Sequence, residues 1–334
     1  MEPLTRQSPH HRQGWLDLFL WLLAALLLGE SVWAAPLRVT VLSERDDGAY
    51  GTALQTLTET LAVLGGADAP AVESITVADS DPLPRDRMTA ARTDLVVTVG
   101  SRMADRVMQL RPEVPVLCVL LPEASFNVAL EHLDHKERPP PHRFSALYLD
   151  QPWARQMRLV ATAFPDIKEI SVAFGPSSEA QEEAVSRSAE EFGYILHTTH
   201  VDRDESPLKG VLRVLQDGND VLLAIPDPVV YNPYSVQAIL LATYRRSVPV
   251  VGFSKAYVSA GATVAIYTTP EQVGREAARL ILQSAGPNGI RLPPPRHPQE
   301  FSVSINHQVA RSLGIELPDE TRLERLLREQ ESAR

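Results

Sequence analysis

The sequence predicts an α/β protein built as two doubly wound parallel-sheet lobes with a linker between them. Three observations carry this. Short, nearly all-apolar runs alternate with segments of helical spacing, the runs close on polar or turn-forming residues, and the alternation breaks at a charged, proline-rich stretch before starting again. Strands that are apolar throughout, rather than at every second position, are covered on both faces, as in parallel sheets. A chain of 334 residues with 44 % hydrophobic content is long enough for two domains.

Taken in order, residues 37–42 (LRVTVL) read as a strand ending at Ser43-Glu44-Arg45, and residues 50–64 as a helix with Leu54, Leu57, Leu61 and Leu64 on one face. Residues 72–77 form a second strand. Residues 94–99 form a third, closed by Gly100-Ser101 and a helix over about 103–110, and 115–121 a fourth, closed by Pro122-Glu123. The segment 131–143 (EHLDHKERPPPHR) is a loop or linker, and the strand at 144–149 is placed to cross to a second domain. The alternation then resumes: a helix over about 153–164, a strand at 169–174, the turn Gly175-Pro176-Ser177-Ser178, a helix over 179–192 and a strand at 195–201. In 221–269 two apolar runs, VLLAI and VPVVGF, flank a helix, and each ends in polar residues, as strands do when they open onto a ligand crevice. A strand at 262–268, a helix over 270–283 with Pro270 in its first turn, a stiff proline-rich link at 290–298, a strand at 301–305, a short helix at 308–313 and a charged helical tail at 321–329 complete the chain.

Composition bounds the setting. Arg6 and Arg12 precede the apolar run from Trp15 to Leu28, and Val32-Trp33-Ala34 supplies small residues; this is the pattern of a secretory signal peptide over residues 1–34. The run is shorter than the roughly 20 residues of a membrane span, with an uncleaved anchor as the alternative. The leader carries Arg6 and Arg12 against Glu2, Asp17 and Glu30, so its removal takes the formal charge from −10 to −9. An acidic chain argues against a nucleic-acid partner, which calls for a basic face. The single cysteine, Cys118, sits within VPVLCVLL and reads as a small buried hydrophobe, with a reactive thiol as the alternative.

Three segments together resemble the substrate-binding proteins of ABC transporters, a group with the type I periplasmic binding fold and mostly unassigned substrates. They are LYLDQPWARQMRLVATAFPDIKEISVAFGPSSEAQEEAVSRSAEEFGY, VPVVGFSKAYVSAGATVAIYTTPEQVGREAARLIL and FSVSINHQVARSLGIELP, and the likeness extends over nearly the whole mature chain. The resemblance implies two lobes closing on a small ligand by hinge motion. It places crossovers near 147–150, 266–269 and 293–301, with the helix from Pro270 packed back on the first lobe. The first lobe would comprise 36–147 with 270–290, the second 148–268 with 298–318, and 319–334 the tail. It also implies a membrane permease or membrane sensor as partner. Three departures bear on the ligand: Asp227-Pro228-Val229 replaces an Asp-Asn-Thr turn, Lys255 stands where an acidic residue is common, and Pro122-Glu123 replaces Asp-Pro.

Candidate ligand contacts follow from the turns at the C-terminal strand ends. They are Ser43, Glu44, Gly100, Ser101 and Glu123 in the first lobe, and Ser177, Ser178, Asp227, Tyr231, Asn232, Ser254 and Lys255 in the second. Backbone N–H groups at the helix starts after Gly100 and Gly175 suit a carboxylate or phosphate. Ser177 and Ser178 read equally as ordinary helix caps, and Tyr231 and Tyr257 as rings that stack on a ligand or cover a domain edge. His132 and His135, beside Glu131 and Asp134, have a spacing a metal can use on a helix but sit in a proline-flanked loop; His197 and His200 point to opposite faces of their strand. The sequence has no GxSxG, P-loop, GxGxxG or HExxH. The expectation is therefore a secreted, periplasmic binding protein without catalytic residues, metal or cofactor. A sensory or scaffold protein of the same fold is the second reading, and a hydrolase or lyase the third.

Overall fold

The computed structural model describes residues 36–133, 142–215, 220–287 and 289–332. The leader sequence and His135 lie outside the described residues, as does most of the 131–143 segment.

The first sheet consists of β1 (Arg38–Ser43), β2 (Ala71–Thr76), β3 (Leu95–Val99), β4 (Val116–Leu121) and β5 (Phe144–Tyr148), all parallel, in the order β2-β1-β3-β4-β5. Burial on both faces explains why β4, and β3 apart from its buried Thr98, are apolar throughout. Val96, Val116 and Cys118 face one core with Met103, Val107 and Phe126, while Leu95, Val97, Leu117 and Val119 face another with Leu57 and Leu61. The helices that fill these faces include α1 (Gly48–Gly65), α2 (Ser101–Leu110) and α3 (Glu123–Glu131). Cys118 is fully buried, and burial pushes its thiol up to about 12, which makes it inert at neutral pH.

The second sheet takes β6 (Glu169–Phe174), β7 (Ile195–His200), β8 (Val221–Leu223), β9 (Val250–Gly252) and β10 (Val264–Tyr267) as parallel strands. A two-residue hairpin, β11 (Ala285–Gly286) with β12 (Gly289–Ile290), precedes β13 (Ser302–Ile305), which joins β10 antiparallel and gives the order β13-β10-β9-β8-β6-β7. Its helices are α4 (Trp153–Ala163), α5 (Glu182–Glu191), α6 (Pro207–Val214), α7 (Val236–Arg245) and α8 (Lys255–Ala260). The next helix, α9 (Pro270–Ser284), leaves this sheet and packs on α1, placing Val273, Ala277 and Ile281 in a core with Leu57 and Leu61. The chain ends with α10 (His307–Ser312) and α11 (Glu320–Ser332), whose Leu323 and Leu327 are fully buried in the second-lobe core.

Three helices escape the sequence reading, among them α8, whose six residues are too few to show a period. In α3 the buried Phe126 and Ala129 are accompanied by exposed Val128 and Leu130, which blurs the apolar stripe. In α6 the eight residues are too few for a sustained period, and only Pro207 at its start marks it. The helix expected over 179–192 begins instead as a 3-10 turn, Glu179–Gln181, before α5.

Candidate functional site

Both β5 and β10 leave their sheets at C-terminal ends and cross directly to the other lobe, so the turns at those ends border the space between the lobes. The third crossing runs from Leu292, in a first-lobe core, to Phe301, in a second-lobe core. On the way Arg296 pairs with the end of β5: Tyr148 N–H donates to the Arg296 carbonyl at 2.9 Å, and Arg296 N–H to the Ala146 carbonyl at 2.9 Å.

A polar chain ties the three crossings together. Gln151 Nε2 donates to Thr268 Oγ1 at 2.7 Å, and Thr268 Oγ1 donates to the Glu300 carbonyl at 2.9 Å. Gln151 and Thr268 are buried, so these bonds operate at low dielectric. Thr269 and Gln272 close a reciprocal capping box at the start of α9, which fixes where the second crossing becomes helix. The buried Glu276 carboxylate accepts the backbone N–H of Gln299 at 2.8 Å and of Glu300 at 3.2 Å, together with Arg296 Nη2 at 3.2 Å. Arg275 and Arg279 both pair with Glu300; burial pushes its carboxyl up, the two guanidiniums outweigh this, and it lies below the usual range.

In the first lobe Ser43 is buried at the end of β1, and Glu44 Oε1 is buried, 3.6 Å from Arg102 Nε and without a hydrogen-bond partner among the described residues. Gly100 adopts φ +93°, and the Tyr50 hydroxyl lies 2.2 Å from where a Cβ would stand, so only glycine fits there. Ser101 opens α2, whose first N–H groups have no capping side chain at Gly100 and point to the crevice end of the sheet. Glu123 is drawn into the hinge: its N–H donates to Asp150 Oδ2 at 2.5 Å and its Oε2 lies 3.5 Å from His297 Nε2.

In the second lobe the wall satisfies much of itself. The Asp227 carboxylate accepts Ser177 N–H at 3.0 Å, Ser178 Oγ–H at 2.9 Å, Val229 N–H at 2.8 Å and Val230 N–H at 3.3 Å. Both Asp227 and Ser178 are buried, and a Cβ on Gly175 would come within 2.4 Å of the carboxylate. This corrects the reading of Asp227 and Ser178 as open ligand groups: they lock the β6 turn to the β8 turn. It also engages the Ser177 N–H in the turn after Gly175 that was expected to stand open to an anion. Asn232 organises its own turn, accepting from Tyr234 and Ser235 N–H and donating to the Pro228 and Val229 carbonyls. It also lines a groove of about 600 Å³ with Arg203, Ser206 and the exposed Tyr234. Ser254 caps α8 by accepting Tyr257 N–H. Lys255 lines a separate groove of about 290 Å³ with Ser304, Asn306, His307 and Glu320. Ile305 pairs with Val264 at the N-terminal end of β10, so this groove reaches away from the crevice end of the sheet.

Tyr231 joins Phe253 and Tyr257 in an aromatic cluster with centroids 4.4 to 6.3 Å apart. The Tyr231 and Tyr257 hydroxyls are buried without a hydrogen-bond partner among the described residues. Burial, and for Tyr231 also the neighbouring Tyr257 and Asp227, drives both phenols well above their ordinary values, so both stay neutral donors. His197 and His200 point apart as expected, to Glu169 and Glu182 respectively, and His132 lies 2.9 Å from Asp105. Among the described residues no group of three metal-ligating side chains comes together, and no helix is long and apolar enough to cross a membrane.

The family model described as ABC transporter substrate binding protein matches residues 84–325, most of the chain. The chain belongs to this family. No curated protein matches its sequence. Among solved structures, the ligand-free, open form of a Clostridium difficile substrate-binding protein with adhesive properties is similar at TM-score 0.65 and 14% identity, covering 85% of this chain and 96% of that one. A Streptococcus pneumonia domain in complex with L-Trp follows at 0.56 and 17%, over 85% and 96%. A periplasmic ribose ABC transporter protein from Conexibacter woesei gives 0.53 and 14%, again over 85% and 96%. At these identities the likeness shows the fold alone, the type I periplasmic binding fold that the resemblance of the three segments implies.

Within this family member the sequence reading missed Tyr50, Phe253 and the hinge residues Gln151, Thr268, Glu276 and Glu300. A polar pair inside otherwise apolar crossing segments, LYLDQP and AIYTTP, is the signal that was available. Another hinge group gives a pH dependence. Burial raises the Asp150 carboxyl above its usual value, opposed by the Glu123 N–H and His297, while Tyr148 beside it is pushed up to about 12 by burial and by Glu123 and Asp150. A carboxyl raised in the folded state is best tolerated protonated, so its cost to stability appears as pH rises from about 3.9 through the raised value. Urea midpoints of Asp150→Asn and the unaltered protein should accordingly diverge in favour of the variant as pH rises through that window. A constant difference across it contradicts this assignment.

Proposed function

We propose that the chain is the periplasmic solute-binding protein of an ABC-type uptake system, which captures a small polar ligand between its lobes and presents it to a membrane permease. The lobes in this reading are 36–147 with 270–290 and 148–268 with 298–318, with residues 1–34 as a cleaved leader. The observation that supports it best is the arrangement of the three crossings: paired polar side chains join them at the crevice, while each lobe keeps its own core. A ligand that touches both lobes only when they close shifts the population toward the closed form. On the first-lobe side the reading uses Glu44 and the open N–H groups from Ser101 onward; on the second it uses Ser177, whose side chain is exposed, and the Tyr257 hydroxyl.

A thermal-shift screen tests it, with amino acids including L-Trp and sugars including ribose, because structures of similar fold carry those names. Stabilisation by one chemical class, with saturation, is the expected result. A flat response to every polar solute favours the second reading, a sensor or scaffold of this fold, for which the self-satisfied second-lobe wall around Asp227 is the motivating observation.

A further inference from the structure

We propose that the C-terminal helix α11 is a brace on the hinge, and that the Arg155–Glu331 pair sets the balance between open and closed lobes. The inference rests on the two-lobe capture reading for its purpose, though not for its geometry.

Helix α11 is fastened to the second lobe at several points. Leu323 and Leu327 are fully buried there, Glu324 accepts Val303 N–H at 2.8 Å, and Arg328 donates to the Phe301 carbonyl at 2.9 Å while lying 4.3 Å from the centre of its ring. These contacts account for a docked helix. They do not account for Glu331, near its far end, which reaches Arg155 with two bonds, 2.6 Å to Nε and 3.1 Å to Nη2. That leaves Nη1 of Arg155 directed at the hinge, where it donates to Gln151 Oε1 at 2.9 Å and to the Pro298 carbonyl at 2.8 Å.

Gln151 belongs to the first crossing and Pro298 to the third, and Gln151 passes the contact to Thr268 in the second. One guanidinium therefore touches two crossings directly and the third through one further hydrogen bond. Its side chain is only 7% exposed, so the carboxylate of Glu331 is what makes a buried cation tolerable at this place. The ring of Phe301, its centre 4.5 Å from the guanidinium carbon, packs against the same group. A planar fork held on one edge by a bidentate carboxylate presents its remaining donors in a fixed direction. Closing or opening the lobes changes the torsions of all three crossings, and any state in which Gln151 and Pro298 move apart loses bonds to Arg155. The brace thereby favours one hinge setting.

The test is a measurement of distances between spin labels in the ligand-free protein. One pair, Val63→Cys and Leu241→Cys, spans the lobes at exposed positions, and a control pair, Glu190→Cys and Leu241→Cys, lies within the second lobe. Cys118, fully buried, stays unlabelled. Glu331→Ala is expected to change the ratio of the interlobe distance populations by about fivefold or more, with the control distance unmoved and Glu331→Gln intermediate. Interlobe distributions that match the unaltered protein in both variants overturn the proposal. If Glu331→Ala fails to fold, Glu331→Gln alone decides, because its amide oxygen retains an acceptor for Arg155 and the same absence of change overturns it. A variant that shifts these populations in a protein that binds no solute in the screen keeps the brace and removes the capture reading. Solute binding with unmoved distributions does the reverse.

Discussion

Asp227→Ala lowers the free energy of unfolding by about 3 kcal/mol or more, because each hydrogen bond to a buried charged group contributes about 1.5–3 kcal/mol and buried donors are left without partners. Four donors converge on this one carboxylate, two from the turn after β6 and two from the turn after β8. Asp227→Asn should recover little. One amide position must present N–H, and each side of the carboxylate already faces a backbone N–H, from Ser177 on one and from Val229 and Val230 on the other. Urea unfolding checks this, with the slope against urea unchanged for a purely native-state effect. Had Asp227 been a ligand contact, stability would hold and affinity alone would fall; a near-neutral unfolding result for Asp227→Ala would return it to the ligand.

Glu276→Ala is expected to cost about 2–4 kcal/mol, since it strips a buried carboxylate from two backbone N–H groups and from Arg296. The effect reaches beyond stability. Glu276 on α9 is the fastening between the first-lobe helix layer and the third crossing, and Glu300, which it helps place, supplies the carbonyl that accepts from Thr268. Calorimetry reads the loss of stability, and hydrogen exchange at Gln299 and Glu300 should accelerate in the same variant while the amides of β3 stay protected. Equal acceleration throughout would mean that the residue acts on the whole fold rather than on the crossing.

The fold was legible in the sequence because its central strands are buried on both faces. Residues 116–121, and 95–99 apart from Thr98, are apolar for that reason, and the turn residues that follow them, Gly100 and Glu123, stand at helix starts. The α3 helix was hidden by its exposed Val128 and Leu130, which carry no information about a buried stripe. The site was less legible, and the reason is direction. Asp227 at a strand end announces a carboxylate but not that four donors already hold it, and Lys255 announces a charge but not the groove beside His307 and Glu320 toward which it lies. Hinge bonds were out of reach for another reason: Gln151 meets Thr268 across 117 positions, and Arg155 meets Glu331 across 176. No periodicity connects residues so far apart. The charged helical tail is docked through Leu323 and Leu327, and its Glu331 meets the buried guanidinium at the crossings.

Solute capture as proposed requires a small molecule held between the two lobes. Native mass spectrometry of the mature chain, extracted without denaturation from the cells that make it, tests this most directly. The expected spectrum holds a population heavier than the polypeptide by one small polar molecule, which leaves on gentle activation and reappears when that molecule is added back. A single population at the bare polypeptide mass, unchanged by every solute that the thermal screen offers, would contradict it.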